Sequence, residues 1–121
     1  LWLLRRRWEQ LQIDVRCALH ADEPVRIRHY LLGGGKLARL GVFGEVGVQL
    51  HMTQILLQTA RDPELPCFWR SVCLECVSHP LRRLRTLLGQ HAPSTLLAIE
   101  QAVASVQCKL PLAGREPGHG V

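Results

Sequence analysis

Apolar and polar positions follow two competing patterns in the first half of the chain. Leu11, Ile13, Val15, Cys17 and Leu19 alternate with Gln12, Asp14, Arg16 and Ala18, and Val46, Val48, Leu50 and Met52 alternate with Gly47, Gln49 and His51. Alone, that period of two describes strands. Leu4, Trp8, Leu11, Val15, Ala18 and Leu19 also fall at steps of four, three, four, three and one, which draws a single apolar stripe along a helix. The helical template accounts for more residues, Leu4 and Trp8 included, so a helix is expected there.

Punctuation favours helices further on. At Asp22-Glu23-Pro24 and Asp62-Pro63-Glu64 an acidic residue able to cap a helix lies beside a proline that the first turn tolerates, so both are expected helix starts. Leu65, Phe68, Val72 and Cys76, with Trp69 and Cys73 beside them, form the apolar face of the second of these, and Pro66 falls in its first turn. His79-Pro80 is expected to end that helix and open another. There Leu81, Leu84, Leu87 and Leu88 face one way and Arg82, Arg83 and Arg85 mostly the other, with Gly89 placed to close the C-terminus. A last helix, capped by Ser94 or Thr95, carries Leu96, Ile99, Val103, Val106 and Leu110. Residues 111–121, with two prolines and three glycines, are expected to form a flexible tail.

An internal repeat ties these elements together. Laying Asp22 on Asp62, an offset of 40 residues, sets Val15 on Ile55, Val25 on Leu65 and Leu32 on Val72, all apolar pairs. That length matches one helical hairpin of the HEAT or armadillo type, about 40 to 47 residues. The run Ala21-Asp22-Glu23-Pro24-Val25-Arg26-Ile27-Arg28 is similar to the Asp…Val-Arg element that opens the second helix of many HEAT repeats. Together with Leu32-Gly33, Lys36-Leu37-Ala38-Arg39-Leu40, Phe43, Gln49-Leu50, Ile55-Leu56-Leu57, Asp62-Pro63 and Val72-Cys73-Leu74, it resembles the maestro heat-like repeat family over about Leu11 to Val77. The resemblance implies an α-solenoid segment of a larger helical protein, in a family with no catalytic residues to carry over. It also leads one to expect a helix running on through Gly33-Gly34-Gly35. Three consecutive glycines, each about 1 kcal/mol worse than alanine inside a helix, predict a break there instead.

The expected architecture is therefore all-α: repeat-like units at about 1–40 and 41–79, a C-terminal helix pair at about 80–110, and the tail. Composition agrees, since 121 residues that are 47% hydrophobic and 21% charged suit one folded domain. A chain opening on Leu1 rather than Met is expected to be a piece of a longer one. The weakly charged run from Leu40 to Ala60 is interrupted by Glu45, Gln49, His51, Gln54 and Gln58, and mean hydropathy is only +0.05, so no membrane span is expected. Five cysteines set mostly among apolar neighbours suit a reducing compartment, by default the cytoplasm, with the nucleus as the other choice.

Candidate chemistry changes this picture little. The net charge of +5 comes from thirteen arginines and two lysines against ten acids, concentrated at Arg5-Arg6-Arg7 and at Arg82, Arg83 and Arg85. Arginine binds carboxylate and phosphate in planar, bidentate fashion, so these six are candidate contacts for an acidic partner, or solvated helix faces. Cys73, Cys76 and His79 have the spacing C-x-x-C-x-x-H, which needs a fourth ligand from Cys67, His91 or Cys108 to hold zinc; the alternative is core packing for the cysteines and a helix-end role for His79. Gly33-Gly34-Gly35-Lys36 lacks the spacing of a phosphate-binding loop, and Leu37 stands where a hydroxyl would hold magnesium. Six scattered histidines define no catalytic order. Trp8 and Phe68 are expected in the core, with Trp2 left uncovered.

No catalytic residue, cofactor or metal is expected, and no enzymatic activity. The expected role is protein–protein interaction or scaffolding within a HEAT-repeat protein, with neighbouring repeats and unidentified proteins as partners. The alternative is an Arg-rich module that binds nucleic acid or phosphate.

Overall fold

A computed structural model of the chain describes residues 1–109, which are all-helical with no strand among them. The elements are α1 (Trp2–Arg16), α2 (Val25–Arg39), α3 (Glu45–Arg61), α4 (Cys67–Cys76), α5 (Ser78–Leu88) and α6 (Pro93–Lys109). The tail predicted for 111–121, and Leu110 before it, lie outside the described residues. No helix among the described residues is long and apolar enough to cross a membrane.

Burial decides between the two patterns at the N-terminus. Trp8 and Val15, seven residues apart on one helical face, are buried, whereas Ile13 and Leu19, which a strand would bury along with Val15, are exposed. At the end of α1 the Leu19 N–H donates to the Asp14 carbonyl at 3.0 Å and the Ala18 N–H to the Val15 carbonyl at 3.3 Å. Ala18 takes the left-handed φ of 52° that this closure requires. The same closure ends α2, where Val42 N–H donates to Leu37 O and Gly41, at φ 76°, adopts the left-handed conformation without a Cβ to oppose it.

The break predicted at Gly33-Gly34-Gly35 is absent: α2 runs straight through it. Close packing supplies the reason. A Cβ on Gly33 would lie 3.0 Å from Trp8 Cδ1, and one on Gly34 would lie 2.5 Å from Met52 Sδ and 3.1 Å from Trp8 Nε1. The two glycines let α2 settle onto Trp8 of α1 and Met52 of α3, and that packing offsets their poor helix propensity. Gly35 stands apart from them, since a Cβ there would meet only Arg39 Nη1, at an ordinary 3.6 Å. Gly35→Ala is therefore expected to stabilise the chain by about 1 kcal/mol, read as a higher urea midpoint at unchanged slope.

Other helix ends differ from expectation, among them α6, which starts at Pro93, so Ser94 and Thr95 lie inside its first turn rather than capping it. α2 starts beside the predicted Asp22-Glu23-Pro24, but with Pro24 rather than an acidic residue at its cap, and α4 starts at Cys67 rather than at Asp62-Pro63. Asp62 instead closes a local turn, its Oδ1 accepting the Glu64 N–H at 3.0 Å. His79-Pro80 does not end α4; it sits in the first turn of α5, with Val77 alone between the two helices. Gly89 does cap α5, but with right-handed φ and ψ of −53° and −36°.

α3 is the central helix. Val48, Met52, Ile55, Leu56, Leu57 and Ala60 are buried around most of its circumference, and each of the other five helices packs against it. Consecutive helices pair, α1 with α2, α3 with α4 and α5 with α6, and between pairs α1 meets α3, α2 meets α4 and α3 meets α5. Trp69 of α4 is fully buried, and its indole N–H donates to the Val15 carbonyl at 2.8 Å, joining the second pair to the end of α1. Arg16 Nη1 adds a 2.8 Å bond to Asp62 Oδ2 in the turn between α3 and α4. The expectation for Phe68 is corrected here: it is 54% exposed, and α4 buries the face of Trp69, Cys73 and Leu74 instead.

Candidate interaction surface

α1 and α2 leave a groove of about 570 Å³ between them. Leu4 and Leu11 on α1, and Val25 and Leu32 on α2, are two apolar pairs with a spacing of seven, so each pair projects from one side of its helix toward the groove. Leu4 and Leu11 are half-buried against the core, while Val25 and Leu32 are exposed, Leu32 by 62%. Arg7, Asp14, Glu23, Arg26 and His29 also line it. The charges there are largely matched. Arg26 Nη1 lies 3.5 Å from Asp14 Oδ2 and its Nε donates to Glu23 Oε2 at 3.0 Å. Asp14 is itself buried, and its Oδ1 accepts Gln10 Nε2 at 3.0 Å. The result is an apolar groove with a largely self-paired charged rim.

The six candidate arginines divide among separate environments. Arg5 Nε donates to Glu9 at 3.1 Å, and its guanidinium sits 5.0 Å over the Phe43 ring. Arg6 lies 5.2 Å over Trp2, which is exposed as expected. Arg7 lines the groove. On α5, Arg83 pairs with Glu45 and Arg85 Nε donates to Glu100 at 3.0 Å, while Arg82 is exposed. The Arg83 bond holds the Glu45 carboxyl below the usual carboxylate range, and the Arg16 bond does the same for Asp62. α1 and α5 each pack on α3.

The Cys73, Cys76 and His79 spacing assembles no site: among the described residues no group of three or more His, Cys, Asp or Glu could hold a metal ion. Cys73 is buried and Cys76 half-buried, while His79 is exposed at the start of α5 rather than closing the end of α4. Burial pushes both thiols above their ordinary range, most strongly Cys73. With Cys17, Cys67 and Cys108 exposed and free, an alkylating reagent on the native chain is expected to label those three first, Cys76 slowly, and Cys73 only on unfolding, as mass spectrometry of the digested protein would read. Gly33-Gly34-Gly35-Lys36 forms no anion cradle, because its backbone N–H groups lie inside α2.

A polar junction beside the groove was not anticipated from the sequence. Gln12 Oε1 accepts the Tyr30 hydroxyl at 3.3 Å and lies 2.7 Å from His51 Nε2, linking α1, α2 and α3. Trp8 stacks on Tyr30 with centroids 5.5 Å apart and donates its indole N–H to the Tyr30 carbonyl at 3.0 Å. Burial raises the Tyr30 hydroxyl well above its ordinary range, so it stays a donor. The only sequence signal for this junction is that Trp8 and Gln12 stand four apart, on one face of a helix. Compared with known proteins, the chain matches no family model, no curated protein and no solved structure.

Proposed function

We propose that this chain is a non-enzymatic protein-interaction and scaffold segment, built as HEAT- or armadillo-like helical-hairpin repeats of an α-solenoid, in keeping with its resemblance to the maestro heat-like repeat sequences. The observation that carries the reading is the outward face of the α1–α2 pair, where Leu4, Leu11, Val25 and Leu32 line an open groove. A helical hairpin cannot bury both of its sides alone; in a stacked array the next unit covers the second side. The packing order supports this, because first helices meet first helices (α1 with α3, α3 with α5) and α2 meets α4. α6 is less regular, since it packs on α5 and reaches back to α3. The occupant of the groove is then a neighbouring repeat or an equivalent helical surface of a partner. A reducing compartment, the cytoplasm in the first instance, suits the five free thiols.

The reading as a nucleic-acid or phosphate module gains less support, because Arg83 and Arg85 are already engaged with Glu45 and Glu100 on other helices. The interaction reading is tested by light scattering over a concentration series. The isolated chain is expected to self-associate as concentration rises, and Leu32→Asp, which places a charge on the groove wall without touching the core, is expected to suppress it. A strict monomer at every concentration would count against the reading.

A further inference from the structure

A second concavity, about 310 Å³, is lined by Trp8, Phe43, Gly44, Gly47, Val48 and His51. Its glycines, like Gly35, are crowded by no neighbour, unlike Gly33 and Gly34. Gly33 and Gly34 are explained by Trp8 and Met52, and Gly41 by its positive φ. Gly44, at φ −66° and ψ 141°, adopts backbone open to any residue, and Gly47 sits in the first turn of α3, where glycine is a poor helix former. A Cβ added at either would meet nothing within 4 Å. No neighbouring atom requires glycine at either position, although Gly44 is also the N-cap of α3, a place that favours glycine. What the two glycines do is keep the space between three aromatic rings open.

Two of those rings are held by contacts within the chain. Trp8 is fixed by its stacking on Tyr30 and its bond to the Tyr30 carbonyl, and His51 by Gln12. Phe43 and His51 tilt against Trp8 by 45° and 57°, with centroids 5.7 and 6.1 Å away. Tilted rings around a gap favour a further ring, edge to face or offset, and walls fixed in advance reduce the ordering that binding requires. The volume lies at the small end of ligand pockets, which run from about 300 to 1,000 Å³, and suits one side chain rather than a cofactor. Arg5 lies over the outer wall, Phe43, and its pair with Glu9 is exposed and local, so a carboxylate from outside can take its place.

We propose that this pocket takes a single aromatic side chain of a protein partner, with an acidic residue beside it in the partner's sequence reaching Arg5. The proposal rests on the interaction reading above. A second copy of this chain does not supply that chemistry: its exposed aromatics, Trp2 and Phe68, are flanked by Leu1 and Leu3 and by Cys67 and Trp69.

The test is a peptide titration followed by amide NMR on the full chain, with acetyl-Asp-Phe-Asp-amide as probe and acetyl-Lys-Phe-Lys-amide as control. The acidic peptide is expected to shift the Gly44, Gly47 and Val48 amides and the Trp8 indole N–H saturably, with an affinity several-fold above that of the control. Gly47→Leu fills the pocket from an open position, so it is expected to keep or raise the melting temperature and lose the shifts. Gly47→Ala, a milder filling, is expected to weaken them, and Arg5→Gln to remove the preference for the acidic peptide. No saturable shift at millimolar peptide, or equal binding by a folded Gly47→Leu chain, would overturn the proposal. So would the same shifts appearing when protein concentration alone is raised, because the occupant would then be a second copy. Light scattering of Leu32→Asp reads the α1–α2 groove, so failure of the pocket and failure of the interaction reading are told apart.

Discussion

Trp69→Ala is expected to cost about 3–5 kcal/mol, the range for removing a fully buried tryptophan from a core. Trp69 is the largest of the fully buried side chains, and it bridges α4 to the end of α1 by a hydrogen bond, indole N–H to Val15 carbonyl at 2.8 Å. Truncation opens a cavity between the two helix pairs and strips the Val15 carbonyl of its strongest partner, leaving the longer bond from Ala18 at 3.3 Å. Against a total stability of about 5–15 kcal/mol for a domain, that loss brings the chain close to unfolding at room temperature. Urea denaturation checks it, with Trp69→Phe as the control that keeps an aromatic ring and loses the bond. If Trp69→Ala cost no more than Trp69→Phe, the packing role assigned to this residue would be wrong.

The second large effect is expected at Gly34. Gly34→Val would gain up to about 1 kcal/mol from leaving glycine behind in a helix, less the small penalty of a β-branched residue. It would also force a side chain into space where even a Cβ lies 2.5 Å from Met52 Sδ and 3.1 Å from Trp8 Nε1. Met52 is 1% exposed and Trp8 is pinned to the Tyr30 carbonyl, so neither has room to retreat. Overpacking of this kind costs about 1–3 kcal/mol and more when a helix must shift, so a net loss near 3 kcal/mol is expected. The double variant Gly34→Val with Met52→Ala is expected to be more stable than the sum of the single losses predicts, because the shortened side chain vacates the space that valine needs. Additive losses would mean that Gly34 and Met52 do not share the contact described.

Much of the helical framework is legible in the residues themselves. The stripe of Leu81, Leu84 and Leu88 against Arg82, Arg83 and Arg85, and the spacing of Ile99, Val103 and Val106, are local patterns that α5 and α6 reproduce in their burial, with Ile99 half-buried. The course of α2 is not local. The cost of three glycines is visible at 33–35, but the compensation comes from Trp8 and Met52, one on the helix before and one on the helix after, and nothing in the sequence says that they converge there. The same holds for Phe68 and Trp69. Both fit an apolar stripe, adjacent residues differ by about 100° around a helix, and the choice is made by the Val15 carbonyl waiting on α1.

The candidate surface depends on the same long-range contacts. Arg83 and Arg85 look available in the sequence because their carboxylate partners, Glu45 and Glu100, lie on other helices. Leu4 and Leu11 read as core, and they are half-buried; their second role, as one wall of a groove whose other wall is Val25 and Leu32, depends on how α1 and α2 cross. The glycines at 44 and 47 carry a signal only once it is known that no neighbour crowds them.

The central claim is that the α1–α2 face is a stacking surface left open in this chain. Leucine and valine methyl NMR across a dilution series tests it most directly, because it locates an interface as well as detecting one. The account predicts concentration-dependent shifts at the methyls of Leu4, Leu11, Val25 and Leu32, with the exposed Leu97 of α6 unchanged, and their loss in Leu32→Asp. Shifts confined to Leu97 and its neighbours on α6, or a spectrum independent of concentration, would contradict it.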